Sequence, residues 1–146
     1  MRAFVAIAAV AMVAGCQQAP KDVTVDGAWV RLPAVPGNPG AAYFTLHGGS
    51  KDTTLLAVSA KFALVTEMHQ SITGPGGMHS MAALKQAPIP ANGTANFAPG
   101  GNHVMLFNIS PRLKPGEKVP LTLAFADGRK VEVQAIVVGA GDPDPK

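Results

Sequence analysis

Apolar residues along this chain recur in short alternating runs broken by glycine and proline, not at the three-to-four spacing of an amphipathic helix. Val131-Glu132-Val133-Gln134-Ala135 alternates cleanly, and Thr94 to Phe97 does so over a shorter stretch. Ala42-Tyr43-Phe44-Thr45-Leu46, Leu55 to Ser59, Leu64 to His69 and Leu121-Thr122-Leu123-Ala124-Phe125 read as further strands. Val23-Thr24-Val25 and Ala28 to Leu32 form two short strands, or one interrupted at Asp26-Gly27. Met78 to Leu84 carries both strand and helix signals, but Pro88 and Pro90 leave a helix little room. Pro33 to Gly40, Gly48-Gly49-Ser50, Gly74-Pro75-Gly76-Gly77 and Pro115-Gly116 punctuate these runs as loops and turns, and Asp127-Gly128 is a strong hairpin signal. About eight short strands, with a turn roughly every ten residues, predict an all-β sandwich or barrel. Trp29, Tyr43, Phe44 and Phe125 are expected in its core.

Composition narrows this to one domain. A chain of 146 residues can bury one real core but not two ordinary ones. Apolar residues at 47% against 14% charged argue against disorder, and 16 Gly with 13 Pro disfavour long helices. The net charge of +3 comes from scattered Lys and Arg, so no nucleic-acid partner is expected. The start of the chain belongs to export rather than to the fold. Arg2 precedes an apolar run, Ala3 to Val13, too short to span a bilayer but suited to a secretory signal. Val13-Ala14-Gly15-Cys16 resembles the lipobox of bacterial lipoproteins, where cleavage precedes a lipidated cysteine. Cys16 is the only cysteine, so it has no disulfide partner. The expected division is residues 1–15 signal peptide, 16–22 lipidated tether, 23–138 folded domain and 139–146 flexible tail. Membrane contact is then through the anchor only, in the periplasm. Gln17 in place of Asp points, by analogy with lipoprotein sorting, to the outer membrane.

The candidate chemistry centres on Pro99-Gly100-Gly101-Asn102-His103-Val104-Met105-Leu106. A glycine turn feeds a short strand in which His103 and Met105 share a face, roughly 7 Å apart at Cα, while Val104 and Leu106 take the other. Outside the signal segment the methionines are Met68, Met78, Met81 and Met105, and His69, His79 and His103 lie in the same span. Thioether and imidazole donors suit soft Cu(I), whereas zinc sites favour Cys, His and carboxylates. The absence of cysteine from this His and Met set also argues against a blue-copper electron carrier, which needs a thiolate. His103 and Met105 therefore read as half of a copper(I) site.

Glu67-Met68-His69, then Met81, then Pro99 to Leu106 resembles the periplasmic PCu(A)C copper chaperones. Their signature is His, ten residues, Met, twenty-one residues, His-x-Met. Residues 82–102, twenty-one positions, separate Met81 from His103, and Met105 completes the motif. Ala28-Trp29-Val30-Arg31, Ala41-Ala42-Tyr43, Ile89-Pro90-Ala91 and Leu121 to Phe125 extend the likeness over Val23 to Val138. One departure is that residues 70–80, eleven positions rather than ten, separate His69 from Met81. The extra residue is expected in the Gly74-to-Gly77 turn or as a bulge around His79-Ser80; otherwise Met78 serves in place of Met81. The His-rich C-terminal tail of some relatives is missing, so a second Cu(II)-type site is unsupported. The resemblance implies a cupredoxin-like Greek-key β-sandwich holding Cu(I) through His69, Met81, His103 and Met105. It further implies delivery to a recipient such as the copper centre of cytochrome c oxidase subunit II or a Sco-type protein.

Neighbouring residues have plainer readings. Met68 falls on the face opposite His69 and is expected in the core. His79 is expected to be exposed at the turn, near enough to assist, and His47 to be structural or solvated. Glu67 shares a face with His69, either orienting it or simply facing water. The glycines of Gly74 to Gly77 carry no P-loop lysine. No nucleophile is paired with a base at recognisable spacing, so the chain is not expected to be an enzyme. The competing readings are a metal-free β-sandwich lipoprotein acting as a protein-interaction module, and a redox protein with fixed copper.

Overall fold

The computed structural model describes residues 21–146. The leader, the lipobox and Cys16 lie outside the described residues. Ten strands form among them: β1 (Thr24–Arg31), β2 (Gly40–His47), β3 (Thr53–Ser59), β4 (Ala63–Thr73), β5 (His79–Ala83), β6 (Ala87–Ile89), β7 (Thr94–Phe97), β8 (Asn102–Ile109), β9 (Lys118–Phe125) and β10 (Lys130–Val138). They make one sheet in the order β5-β4-β8-β7-β2-β1-β10-β9-β3-β6, with β8 also pairing with β2. The sheet curls on itself, so that β3 lies against β4 and β6 against β7 without ladder pairing. The result is an all-β sandwich, one of the two forms that the alternation predicts, and it is consistent with the cupredoxin-like fold that the resemblance implies. No helix of the described residues is long and apolar enough to cross a membrane.

Ten strands form where about eight were expected, and the one outside the candidate segments is β6, in the proline-bearing stretch. Pro88 sits in β6, opposite Thr54, at the edge of the sheet, where a missing N–H costs no ladder bond. The two candidate strands at the start are one, β1, whose register to β2 shifts between Asp26 and Trp29. Gly27 supplies the positive φ of +58° at that irregularity.

Alternation divides the sheet into a dry face and an outer one. Val30, Ala42, Leu46, Val104, Leu106, Leu121 and Leu123 are fully buried on the dry face, stacked with Phe44, Phe97 and Phe125. Each of the valine, leucine and phenylalanine side chains contributes about 1.5–3 kcal/mol over remaining in water. This pins the register of the strands that carry these residues, since a one-residue slip would move their apolar set to the outer face.

Trp29 is buried as expected and Tyr43 half-buried, but neither joins the main core cluster. They are register partners on the outer face, with ring centroids 4.4 Å apart, while their neighbours Val30 and Ala42 point inward. Arg31 caps them, its guanidinium 4.9 Å from the Trp29 ring. Where the sequence suggests a flexible tail, Arg31 donates to the carbonyls of Gly139 (3.1 Å), Ala140 (3.3 Å) and Asp142 (2.7 Å) and pairs with Asp144. The segment after β10 thus folds back against β1.

Burial pushes the Tyr43 phenol above its usual range; nearby Arg31 opposes the shift and Asp144 adds to it. The phenol prefers its neutral form in the folded chain, so its contribution to stability is complete below the ordinary phenol range. That contribution is lost as pH rises through the elevated native value. Tyr43 is the only tyrosine, so alkaline absorbance titration should show one phenolate transition, higher in the native protein than in denaturant. Arg31→Met should move the native transition higher still.

Candidate metal centre

Three adjacent strands, β5, β4 and β8, carry the candidate ligands. In the β4–β8 ladder His69 stands directly opposite His103, and Glu67 opposite Met105. In the β4–β5 ladder His69 stands opposite Ala83, and Ser71 opposite Met81. Directly opposed residues share a face, so His69, His103, Met105 and Met81 all lie on the outer face. The intervening Met68 and Val104, themselves register partners, point into the core. The dry face therefore fixes which residues the wet face offers.

His69 occupies the middle strand, and its ring centroid is 6.0 Å from that of His103. Met105 is one step along β8 toward one strand end, and Met81 one step along β5 toward the other. Each is thus a diagonal neighbour of His69, at about 7–8 Å between Cα atoms. An unbranched thioether with three rotatable bonds can swing across such a diagonal. The four donors come from both sides of one imidazole.

Their surroundings differ. His103 is buried, 6% exposed, and its Nδ1–H donates to the Gly101 carbonyl at 3.0 Å. A carbonyl only accepts, so the His103 lone pair is on Nε2. His69 has Nε2 3.0 Å from Glu67 Oε2, while its Nδ1 is out of water with no hydrogen-bond partner. A buried polar atom left unpaired is costly unless something fills the position. Met105 is half-buried, whereas Met81 is 60% exposed on the edge strand.

Among the described residues no three His, Cys, Asp or Glu side chains are gathered so as to hold a metal ion. A centre here would have to recruit thioethers, which selects a soft ion. The His103 Nε2 lone pair, an orphaned His69 Nδ1 and two flanking thioethers fit Cu(I) and do not fit a hard cation.

The extra residue between His69 and Met81 causes no bulge. The β4–β5 pairing runs without a register shift from His69↔Ala83 to Thr73↔His79, and a 3-10 turn, Pro75–Gly77, closes the hairpin. Gly76 and Gly77 both take positive φ, +74° and +76°, which a β-carbon would strain. Met78 closes this turn by accepting the Gly74 N–H at 2.7 Å and is 71% exposed, outside the paired strand. His79 is exposed, with Nδ1 3.4 Å from Thr73 Oγ1. His47 is distant in sequence and pairs with Asp26 at 2.9 Å. The feature the sequence reading missed is the Gly101 carbonyl, which sets the His103 ring; the Gly100-Gly101 turn was its only signal.

Residues 23–137 match the family described as "Putative lipoprotein LpqE-like". The chain belongs to this family. "Putative lipoprotein Lxx21020" of Leifsonia xyli subsp. xyli (strain CTCB07) is 32% identical over 106 residues, 73% of this chain and 63% of the relative. The chain thus spans under two thirds of that relative's length. Among solved structures, apo-DR1885 from Deinococcus radiodurans is 33% identical, with a TM-score of 0.61 over 95% of this chain and 94% of that one. Its Cu(I) form is 34% identical, with a TM-score of 0.59 over 85% and 82%. A copper-bound PCuAC domain from PmoF2 has a TM-score of 0.67 over 83% of this chain and 95% of that one, at 22% identity. The fold of this LpqE-like chain is that of PCuAC domains, as the sequence motif implies.

The two methionines beside the histidines should respond oppositely to truncation. Met68→Ala leaves a cavity in the core and should cost about 2–5 kcal/mol in urea unfolding. Met81→Ala, on the exposed edge strand, should stay within about 0.5 kcal/mol of wild type in the metal-free protein.

Proposed function

We propose that this LpqE-like protein is a copper(I) chaperone of the bacterial cell envelope, binding one Cu(I) through His69, Met81, His103 and Met105. The observation that carries the reading is the opposition of His69 and His103 on one outer face, with a thioether on either side. The likeness to Cu(I)-bound DR1885 supports it. All four donors are neutral, so softness rather than charge retains the ion, and stepwise ligand exchange can release it. No catalytic cycle is required. Met81 is favoured over Met78 because alternation along β5 gives Met81 the face of His69.

The lipobox-like Cys16 and the lipoprotein family support a lipid anchor, in our reading at the periplasmic face of the outer membrane. The recipient is a second copper protein, such as the copper centre of cytochrome c oxidase or a Sco-type thiol protein. A metal-free interaction module is the competing reading, and metal-dependent stability separates the two.

Anaerobic titration with Cu(I) against a competing chelator should show one tight site. A ligand that binds only the folded state raises its stability, by about 2.7 kcal/mol at a hundredfold excess over Kd. Thermal melting should therefore rise on loading. Met81→Leu and His103→Ala should weaken binding more than Met78→Leu does. No rise in melting temperature would leave the interaction module standing, and the reverse order of the methionine variants would replace Met81 by Met78.

A further inference from the structure

The two histidines differ in which nitrogen their surroundings leave free. The Gly101 carbonyl holds the hydrogen of His103 on Nδ1. At His69 the acceptor is a carboxylate, and it faces the other nitrogen: Glu67 Oε2 is 3.0 Å from Nε2. A neutral imidazole carries one hydrogen, so donation from Nε2 leaves the lone pair on Nδ1. That Nδ1 is the buried atom without a partner. Glu67 and His69 are two apart on β4, hence on the same face, and Glu67 is opposite Met105. The carboxylate therefore reaches the ring from the metal side of the sheet while remaining about half exposed to water.

We propose that Glu67 is a positioning residue that fixes His69 as the Nε2–H tautomer, so that the centre offers Nδ1 of His69 and Nε2 of His103. This rests on the copper-chaperone reading for its purpose, though not for its geometry. Glu67 does not bind the ion in this arrangement. It orients the ring and raises the basicity of the free nitrogen, as carboxylates behind metal-bound imidazoles do. The opposed tautomers let two rings on adjacent strands direct different edges toward a common point, although their backbones are in direct register. Both rings donating from the same nitrogen would present equivalent edges in parallel.

The test uses the full-length protein in detergent micelles. Long-range proton–nitrogen spectra of the imidazole rings, recorded without metal at about pH 8, where free imidazole is neutral, report the tautomer of each histidine. Wild type should show Nε2–H for His69 and Nδ1–H for His103. Glu67→Ala should abolish the single-tautomer signature of His69 alone, and should weaken Cu(I) binding about 10–100-fold. Glu67→Gln, whose amide oxygen still accepts, should retain the tautomer and recover most of the affinity. An Nδ1–H signature for His69 in wild type overturns the proposal, as does a Glu67→Ala variant whose His69 spectrum and affinity both match wild type. If wild type takes up no Cu(I), the chaperone reading fails, while the ring spectra still decide the tautomer and the part Glu67 plays in setting it.

Discussion

The pairing of β4 with β8 is the constraint on which the site depends. Its register is set by residues that never touch the outer face: Met68 against Val104 and Thr66 against Leu106, with Met68, Val104 and Leu106 all buried. Shifting β4 by one residue would push Met68 into water and His69 into the core, a double penalty of lost apolar burial and buried polar nitrogen. The opposition of His69 and His103 is thus enforced by hydrophobic burial on the reverse of the sheet. A centre assembled this way exists before any ion arrives, because the cost of arranging the imidazoles is met by folding.

Legibility in the sequence follows the range of the interaction. His103 and Met105 sharing a face needs only the two-residue period of a strand, and a glycine turn beside it. Placing His69 across from His103 needs the pairing of distant strands, which no local pattern encodes; the spacing motif of a known family supplied it. The additional residue before Met81 was ambiguous because a turn and a bulge have the same length, and the positive φ of Gly76 and Gly77 shows the turn absorbing it. Strand β6 was hidden by Pro88, since proline forbids a central strand but not an edge one. Trp29 and Tyr43 lie outside the main core cluster, although Trp29 is buried, and alternation could not show this because it assigns residues to faces without saying which face is dry. Size suggested the core, whereas Arg31 and the returning C-terminal segment cover them on the outer face.

That outer face is continuous. Met105 is opposite Ala41 of β2, two residues from Tyr43, which in turn faces Trp29 of β1. The small Ala41 leaves room beside the Met105 thioether, while the aromatic pair and Arg31 occupy the next position across. The candidate centre is therefore bounded on one side by a packed, cation-capped aromatic wall and on the other by the edge strand β5.

This asymmetry bears on how a carrier could release its ion. His103 is 6% exposed and its ring is held by a backbone carbonyl, whereas Met81 is 60% exposed and rides on an edge hairpin paired on one side only. An incoming donor would meet the Met81 side first, and a thioether held by few contacts is displaced at less cost than an anchored imidazole. Under the proposed ligand set, exchange would begin at Met81 and end at His103. A fully enclosed site of the same donors would bind as well at equilibrium but would have to open the sheet to let go. In that set a soft donor on the sheet edge would separate release from the retention supplied by the three donors on β4 and β8.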